Sequence, residues 1–475
     1  MPGLGSLSDA LRLQAIAVSG GMSFYCNDNH MKIIIIGAGP GGYETAVEAA
    51  KRGIEVVLVA GGPLGGTCLN EGCIPTKTFC HYAELIEGMS RAEALGITAA
   101  PAFDFAKVAE RKDAVVVQLR EGIGQLLKNK LITVVEGKAS LKGAQTVVVD
   151  GVEYSGDKII IATGSVSASL SIPGADLPGV ITSKEILELT DVPKRLIVIG
   201  GGVIGLEFAS IFKSFGSDVT VLEYAPTILP RFDTDLAKRL KLALGKRGIK
   251  IETAAQVTGI AKAGGGLAVS YVAKTGEASV EGDLVLMAVG RRPNLESLNI
   301  ADLGIEFTRR GIVVDENLQT NVPGIYAIGD IVGGMMLAHA ATFHGLRALN
   351  HICGVSDSID FGIIPAAVFT MPEAACVGMT EDEAKAAGIA VKCLKSQFRA
   401  NGKAVSMDDT EGFCKIVVRE EDGALLGCHL FGPHSADIIQ EVAALLTRHA
   451  TLSDLQSIIH AHPTLGEVIQ SAAHI

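Results

Sequence analysis

The stretch Lys32-Ile33-Ile34-Ile35-Ile36-Gly37-Ala38-Gly39-Pro40-Gly41-Gly42 decides the fold of this chain. Its β-branched apolar run predicts a parallel strand that is buried on both faces. The glycines match G-x-G-x-x-G, and a predicted helix from Tyr43 to Arg52 leads to a second strand, Ile54 to Val59. In that order the glycines allow a tight turn and let a pyrophosphate approach the helix N-terminus, where unpaired N–H groups favour anions. The stretch therefore predicts a Rossmann-like dinucleotide-binding unit.

A second unit of the same kind begins at Leu196 and runs into Gly200-Gly201-Gly202-Val203-Ile204-Gly205. A predicted helix, 206–215, and a strand from Asp218 to Leu222 follow, and Glu223 closes that strand. A carboxylate there accepts hydrogen bonds from ribose hydroxyls and repels a 2′-phosphate, so it favours NAD over NADP. Two units predict two bound dinucleotides, and the alternative is one cofactor beside a decayed duplicate. In the first unit the matching position is Ala60, which has no carboxylate to bind the ribose. The sequence therefore does not show how this unit holds the adenosine of its dinucleotide.

Two cysteines lie shortly after the first unit, in Gly65-Gly66-Thr67-Cys68-Leu69-Asn70-Glu71-Gly72-Cys73-Ile74-Pro75-Thr76-Lys77. In a regular helix, positions five apart are about 8.6 Å from Cα to Cα, whereas a disulfide tolerates roughly 7 Å at most. If Cys68 and Cys73 pair, the backbone must bend, and Gly72 supplies the freedom to do so. A strained, reachable disulfide near a nucleotide site suits a redox switch. The alternative is two unrelated buried thiols.

Composition narrows the class of protein. A chain of 475 residues predicts two to four domains at about 100–200 residues each. A high glycine content, few aromatic residues and no tryptophan are typical of tightly turned α/β domains. A net charge of −11 without a basic run disfavours nucleic acid as a partner. Nine cysteines without framework spacing favour a reducing, cytoplasmic compartment.

Two segments have to be distinguished from a targeting sequence and from a membrane span. Residues 1–30 lack a basic start and a long apolar core, so we expect a disordered leader, with a weak transit peptide as the alternative. The run from Leu196 to Phe212 is apolar apart from Glu207, and its glycines favour a buried strand and helix over a membrane span. We therefore expect no membrane association.

From Met31 to the end, the chain resembles the flavin-dependent pyridine nucleotide–disulfide oxidoreductases, and within them the dihydrolipoamide dehydrogenases. The resemblance rests on several motifs in one order. They are the two glycine fingerprints, the run from Gly65 to Lys77, Ala162-Thr163-Gly164-Ser165, Gly329-Asp330, Met336-Leu337-Ala338-His339 and His460-Ala461-His462-Pro463-Thr464-Leu465-Gly466-Glu467. The chain departs from the family pattern at Ala60, Thr76, Ala340 and Ser435-Ala436-Asp437.

The resemblance implies an α/β fold with two Rossmann-like dinucleotide-binding domains and a C-terminal α+β dimerisation domain. After the leader, residues 31–150 and 285–355 would form the FAD-binding domain and residues 151–284 the NAD-binding domain. Residues 356–475 would form the interface domain of a homodimer.

The resemblance also implies the residues that hold each cofactor. FAD would contact Gly37, Gly39, Gly42, Thr67, Lys77, Gly137, Thr163, Gly164, Ser165, Asp330, Met336, Leu337, Ala338 and His339. NAD would contact Gly200, Gly202, Gly205, Glu207, Glu223, Val257 and Gly290, with Glu207 also pairing with Lys77. No metal site is predicted.

For catalysis, the resemblance implies that substrate attacks Cys68, that Cys73 faces the flavin, and that electrons pass through it to FAD and then NAD⁺. His462 would take a proton from the dithiol, because a thiolate is the nucleophile. Glu467 would hold the other imidazole nitrogen. Without the resemblance, the C-terminal histidines would be interpreted as a solvated or weakly metal-binding cluster.

The implied function is NAD-dependent oxidation of dihydrolipoamide carried on lipoyl domains, within a 2-oxo acid dehydrogenase or glycine cleavage complex. The alternatives are another low-molecular-weight disulfide reductase of the same family, or a non-catalytic docking subunit. Glu223 disfavours the NADPH-dependent glutathione-type reductases, and the last residues, Ser471 to Ile475, lack the second cysteine pair of mercuric reductases.

Overall fold

The computed structural model describes residue 26 and residues 30–98, 102–296 and 298–475. Apart from Cys26 and His30, the predicted leader lies outside the described residues.

In that part of the chain the α-helices are α1 Pro40–Lys51, α2 Gly66–Glu71, α3 Cys73–Ser90, α4 Phe105–Leu126, α5 Val203–Ser214, α6 Thr234–Lys246, α7 Ala338–Ile352, α8 Glu381–Ala386, α9 Gly402–Ser406, α10 Ser435–Thr447, α11 Leu452–Gln456 and α12 Glu467–Ala473. Short 3₁₀ turns lie at Ala92–Leu95, Glu185–Glu188, Ile300–Leu303, Gly329–Val332 and Phe398–Ala400.

The strands are β1 Lys32–Ile36, β2 Glu55–Ala60, β3 Ile132–Glu136, β4 Ala139–Gly143, β5 Thr146–Val149, β6 Val152–Ser155, β7 Lys158–Ile161, β8 Ser165–Ser167, β9 Val180–Ile181, β10 Arg195–Ile199, β11 Asp218–Glu223, β12 Lys250–Thr253, β13 Gln256–Ala263, β14 Gly266–Ala273, β15 Gly276–Gly282, β16 Leu284–Met287, β17 Arg291–Pro293, β18 Phe307–Thr308, β19 Gly311–Ile312, β20 Ile325–Ala327, β21 Ala366–Val368, β22 Ala374–Gly378, β23 Val391–Gln397, β24 Phe413–Arg419 and β25 Leu425–Phe431.

The first sheet is parallel and has the strand order β20-β7-β1-β2-β3. Strand β1 is its centre, with Ile34 opposite Val57 on one side and Ile159 on the other. These side chains are fully or almost fully buried, as the β-branched run predicts. Helix α1 begins at Pro40 rather than at Tyr43, because proline suits the first position of a helix and the fingerprint residues join its first turn.

The second sheet repeats this plan, with the parallel order β12-β11-β10-β16-β9. The antiparallel strands β13, β14 and β15 form a separate small sheet in the same part of the chain. Helix α5 begins at Val203, again directly after the glycine turn rather than at residue 206.

Strand pairing moves two of the predicted domain boundaries. Strand β7 pairs with β1, so residues 158–161 belong to the first sheet rather than to the domain placed at 151–284. Strand β16 pairs with β10, so the second sheet continues to Met287, past the predicted limit at 284. In both cases the chain changes sheet only after the carboxyl end of a strand, because a parallel strand must be completed before its connection can cross over.

The C-terminal part is an antiparallel sheet of order β21-β22-β25-β24-β23, against which α10 and α12 pack. Lys415 of β24 is buried and joins this sheet to the second Rossmann-like body. Its Nζ lies 2.8 Å from Oδ2 of Asp233, which caps α6, and 2.7 Å from Oε2 of Glu381. The predicted fold class is therefore confirmed: two Rossmann-like units and a C-terminal α+β unit.

The apolar run from Leu196 to Phe212 forms β10 and α5, with the glycine turn between them. Glu207 lies inside α5 and is buried. None of the helices in the described ranges is both long enough and apolar enough to cross a membrane.

Candidate active site

The carboxyl ends of the two parallel sheets open into one cavity of about 3020 Å³. Ligands of open α/β sheets bind at such edges. Pockets for small molecules usually measure about 300–1,000 Å³, so this cavity has room for more than one extended ligand. Both glycine turns and both predicted redox cysteines line it.

The glycines of both turns fit the close approach of a dinucleotide. Gly37 has φ +115°, and a Cβ there would lie 2.2 Å from the carbonyl oxygen of Ala162; Gly200 has the same φ and a contact of 2.3 Å with Ala288. A Cβ on Gly202 would meet nothing within 4 Å, and one on Gly39 would make only an ordinary contact of 3.9 Å with Gly66 Cα, so both positions leave room for a pyrophosphate.

Gly42 and Gly205 have a different task from the one expected of them, since neither lines the cavity. A Cβ on Gly42 would lie 1.8 Å from the carbonyl oxygen of Gly37, and one on Gly205 would lie 2.0 Å from that of Gly200. These glycines let the helix pack against the turn, so they shape the site without touching its ligand.

Gly72 brings the two cysteines together by interrupting the helix. Helix α2 ends at Glu71 and α3 begins at Cys73, while Gly72 adopts φ −148° and ψ −111°. The thiols of Cys68 and Cys73 hydrogen-bond to each other, and both cysteines are free in the structure. The disulfide of the oxidised protein stays a prediction.

The two thiols differ in acidity. The hydrogen bond from Cys68 lowers the pKa of Cys73 to about 7, against the effect of burial, and the positive charge of Lys77 contributes in the same direction. The same hydrogen bond, together with burial, holds the pKa of the Cys68 thiol far above its ordinary value. Of the two, Cys73 is the thiol that ionises first.

Lys77 is fixed by Glu207, as the resemblance implies. Its Nζ lies 2.9 Å and 3.0 Å from the two carboxylate oxygens, and Glu207 is buried. The sequence analysis missed Phe369, which completes this arrangement. Its backbone N–H donates to Glu207 Oε1 at 3.0 Å, and its ring centroid lies 4.4 Å from Lys77 Nζ.

A second set of hydrogen bonds joins three separate segments of the chain at the cavity wall. Ser165 Oγ donates to Asp330 Oδ2 at 2.5 Å and accepts from Arg291 Nε at 2.7 Å. The sequence analysis assigned no role to Arg291, and its burial lowers its pKa. The other residues predicted to contact FAD also line the cavity: Thr67, Gly137, Thr163, Gly164, Met336, Leu337, Ala338 and His339.

At the second turn, Glu223 is held in place by backbone donors. Its carboxylate accepts from the N–H of Gly201 at 2.5 Å and from that of Ala225 at 2.6 Å. A carboxylate has about four acceptor positions, so it can still receive ribose hydroxyls. Val257 and Gly290 line the cavity nearby.

Ala60, at the matching position of the first unit, is buried and lies in register with Glu136 of the neighbouring strand. Glu136 is exposed. The next residues, Gly61, Gly62 and Pro63, line the cavity and carry no acidic side chain. The place of the missing carboxylate is thus open, with the nearest acidic side chain in the sheet one strand away.

His462 and Glu467 form a pair at the other end of the chain. Nδ1 of the exposed His462 lies 2.9 Å from Glu467 Oε1, and the Thr464 N–H donates to Oε2 at 2.7 Å. These hydrogen bonds, with that from Thr464 the larger, lower the pKa of Glu467. Neither His462 nor Glu467 lines the cavity that contains the cysteines.

Two family models match the chain. Residues 31–345 match the pyridine nucleotide-disulphide oxidoreductases, and residues 364–473 match the dimerisation domain of the same proteins. Among curated relatives, dihydrolipoyl dehydrogenases of Geobacillus stearothermophilus and Bacillus subtilis are 42% and 40% identical to the chain. Each comparison covers 93% of this chain and 95% of the relative.

Solved structures give the same picture of the fold. The HOCl-induced flavoprotein disulfide reductase RclA from Escherichia coli superposes with a TM-score of 0.84 at 32% identity, covering 94% of this chain and 99% of that one. LpdA from Mycobacterium tuberculosis superposes with a TM-score of 0.86 at 28% identity, over the same shares of the two chains.

Restoring the acid at position 60 tests the geometry of the first turn. We expect Ala60→Glu to tighten FAD binding, because two charge-assisted hydrogen bonds to the ribose are worth on the order of 1–3 kcal/mol. The measurement is the FAD dissociation constant at equilibrium, and Glu136→Gln is the matched control. Unchanged affinity in Ala60→Glu, together with weaker binding in Glu136→Gln, would show that Glu136 already serves the ribose.

Proposed function

The chain belongs to the pyridine nucleotide-disulphide oxidoreductase family, and we propose that it oxidises dihydrolipoamide to lipoamide and reduces NAD⁺. The observation that carries this proposal is the cysteine pair at the helix break, beside a cavity that contains two dinucleotide turns. The identity of about 40% to dihydrolipoyl dehydrogenases over almost the whole chain supports the choice of substrate.

The thiol chemistry follows from the residues. His462 takes a proton from one substrate thiol, and the resulting thiolate attacks Sγ of Cys68 in the disulfide. The Cys68–Cys73 bond breaks, and Cys73 leaves as a thiolate, which its lowered pKa favours. The second substrate thiol then displaces Cys68 from the mixed disulfide. Substrate has lost two electrons and two protons. The cysteine pair has gained the electrons, one proton lies on His462, and the other ends on the displaced Cys68 thiol, whose raised pKa keeps it protonated. FAD, held at the first glycine turn, would supply the chemistry that moves this electron pair to NAD⁺.

Each cofactor has its own glycine turn in this proposal. FAD binds at Gly37 to Gly42, with Lys77 and Asp330 among its contacts. NAD binds at Gly200 to Gly205, with its adenosine ribose on Glu223. Because a 2′-phosphate beside that carboxylate would meet like-charge repulsion, NAD is preferred over NADP.

Glu467 fixes the tautomer and the orientation of the His462 ring. As Nδ1 of His462 faces the carboxylate, the ring proton resides on that nitrogen and Nε2 is left to accept the proton from substrate. The base would serve the cysteines of the opposite subunit in a homodimer built through the dimerisation domain, residues 364–473. A twofold axis then forms two equivalent composite sites.

The natural substrate would be the dihydrolipoyl group on a lipoyl domain of a cytoplasmic 2-oxo acid dehydrogenase or glycine cleavage complex. A second candidate is another disulfide reductase, because RclA is 32% identical to the chain. The deciding assay compares NAD⁺ reduction by dihydrolipoamide with NADH- and NADPH-dependent reduction of glutathione disulfide. Higher kcat/KM with glutathione disulfide, or with NADP⁺ than with NAD⁺, would contradict the proposal. A preparation without flavin absorbance would favour a docking subunit.

The ionisation of Cys73 can be followed by the long-wavelength absorbance that a thiolate gives beside an oxidised flavin. In the two-electron-reduced protein we expect this band above pH about 7 and its loss below, because a lowered pKa keeps the thiolate down to that pH. Cys73→Ser should abolish the band, whereas Cys68→Ser should show it without any reductant. Absence of the band in Cys68→Ser would mean that the two roles are exchanged.

The composite site predicts complementation between two inactive variants, Cys68→Ser and His462→Gln. Loss of a general base typically lowers turnover by about 10²–10⁴-fold, and loss of Cys68 removes the disulfide. Mixed dimers contain one intact site, so subunit exchange should restore activity with dihydrolipoamide.

Mass spectrometry of the mixture verifies the exchange, and mixtures of each variant with itself are the control. If mixed dimers form and remain inactive, the base and the thiols act within one subunit.

A further inference from the structure

Tyr224 is the most exposed aromatic side chain in the described ranges, with 75% of its surface accessible. It also lines the wall of the cavity. Exposed aromatic groups on a ligand site usually serve a contact, since they gain nothing from the protein core. No role was assigned to this residue by the sequence analysis.

The backbone on both sides of Tyr224 is fixed. The carbonyl of Glu223 accepts from the Ala255 N–H at 2.9 Å, and that of Ala225 accepts from the Ala254 N–H at 2.8 Å. The Glu223 carboxylate also binds the Ala225 N–H. The ring is thus presented from a rigid support, so little backbone entropy is lost when a ligand packs against it.

The position of the ring relative to Glu223 indicates what it contacts. Tyr224 directly follows the carboxylate that would hold the adenosine ribose, and Gln256 and Val257 line the same region of the cavity. The base of a nucleotide is joined to that ribose, so it must lie within a few ångströms of it. We infer that Tyr224 is a stacking platform for the adenine ring of NAD, and this inference rests on the proposed function for the identity of the nucleotide.

The test is calorimetric binding of ADP-ribose to the oxidised FAD-loaded protein. Stacking of one base on an aromatic side chain is worth about 1–3 kcal/mol by alanine substitution, so Tyr224→Ala should weaken binding by about 5- to 150-fold. Tyr224→Phe keeps the ring and should bind within about twofold of the parent. Phe307→Ala is the matched control, because Phe307 is an exposed aromatic residue that does not line the cavity.

Flavin absorbance per protein shows whether each variant is folded and loaded; if Tyr224→Ala is not, Tyr224→Leu replaces it. An ADP-ribose affinity in Tyr224→Ala within twofold of the parent would overturn the inference. So would an equal loss in Tyr224→Phe, which would assign the effect to the hydroxyl. The same titration with 2′-phospho-ADP-ribose separates this result from the proposed function. Tighter binding of that ligand by the parent would reject NAD as the nucleotide, and a loss on Tyr224→Ala would still support stacking.

Discussion

The close approach of helix to strand at Gly42 and Gly205 is the constraint on which the remaining structure depends. At each position a single Cβ would collide with the carbonyl oxygen of the first glycine in the turn. Only with that contact can the helix begin at once after the strand and direct its unpaired N–H groups at the cavity. Both sheets then open toward one space, and the crossover segments at 162–165 and 288–290 lie along its wall.

Within that cavity, local electrostatics makes the two cysteine thiols differ in pKa. The break at Gly72 allows the two thiols to meet, and their hydrogen bond favours ionisation of Cys73 over Cys68. Lys77 supports the same asymmetry, but partial burial favours the neutral form of a lysine that has no partner. Glu207 and Phe369 hold it in place, so the charge beside Cys73 is part of the rigid structure.

The C-terminal sheet is held in a fixed position against the second Rossmann-like body. Lys415, buried between Asp233 and Glu381, anchors this sheet to the second Rossmann-like body. Removal of one partner from a buried ion pair is strongly destabilising, since it leaves the remaining charge without compensation. His462 and Glu467 of the anchored unit do not line the cavity of their own chain. In the proposed function this pair serves the cysteine site of the opposite subunit of a homodimer.

The sequence by itself determined the elements whose signals are local. Strand β1 occupies the predicted residues 32–36, and both glycine turns lie where their patterns place them. The Lys77–Glu207 and His462–Glu467 pairs also follow from motifs, with the help of the family resemblance. Only the tertiary structure decided which strand completes which sheet, because pairing joins residues far apart in the chain and leaves no periodic mark. It also decided the positions of Arg291, Phe369 and Tyr224 on the cavity wall, since a residue of the short strand β17, a loop residue and a residue after a strand become parts of one site only when distant segments meet there.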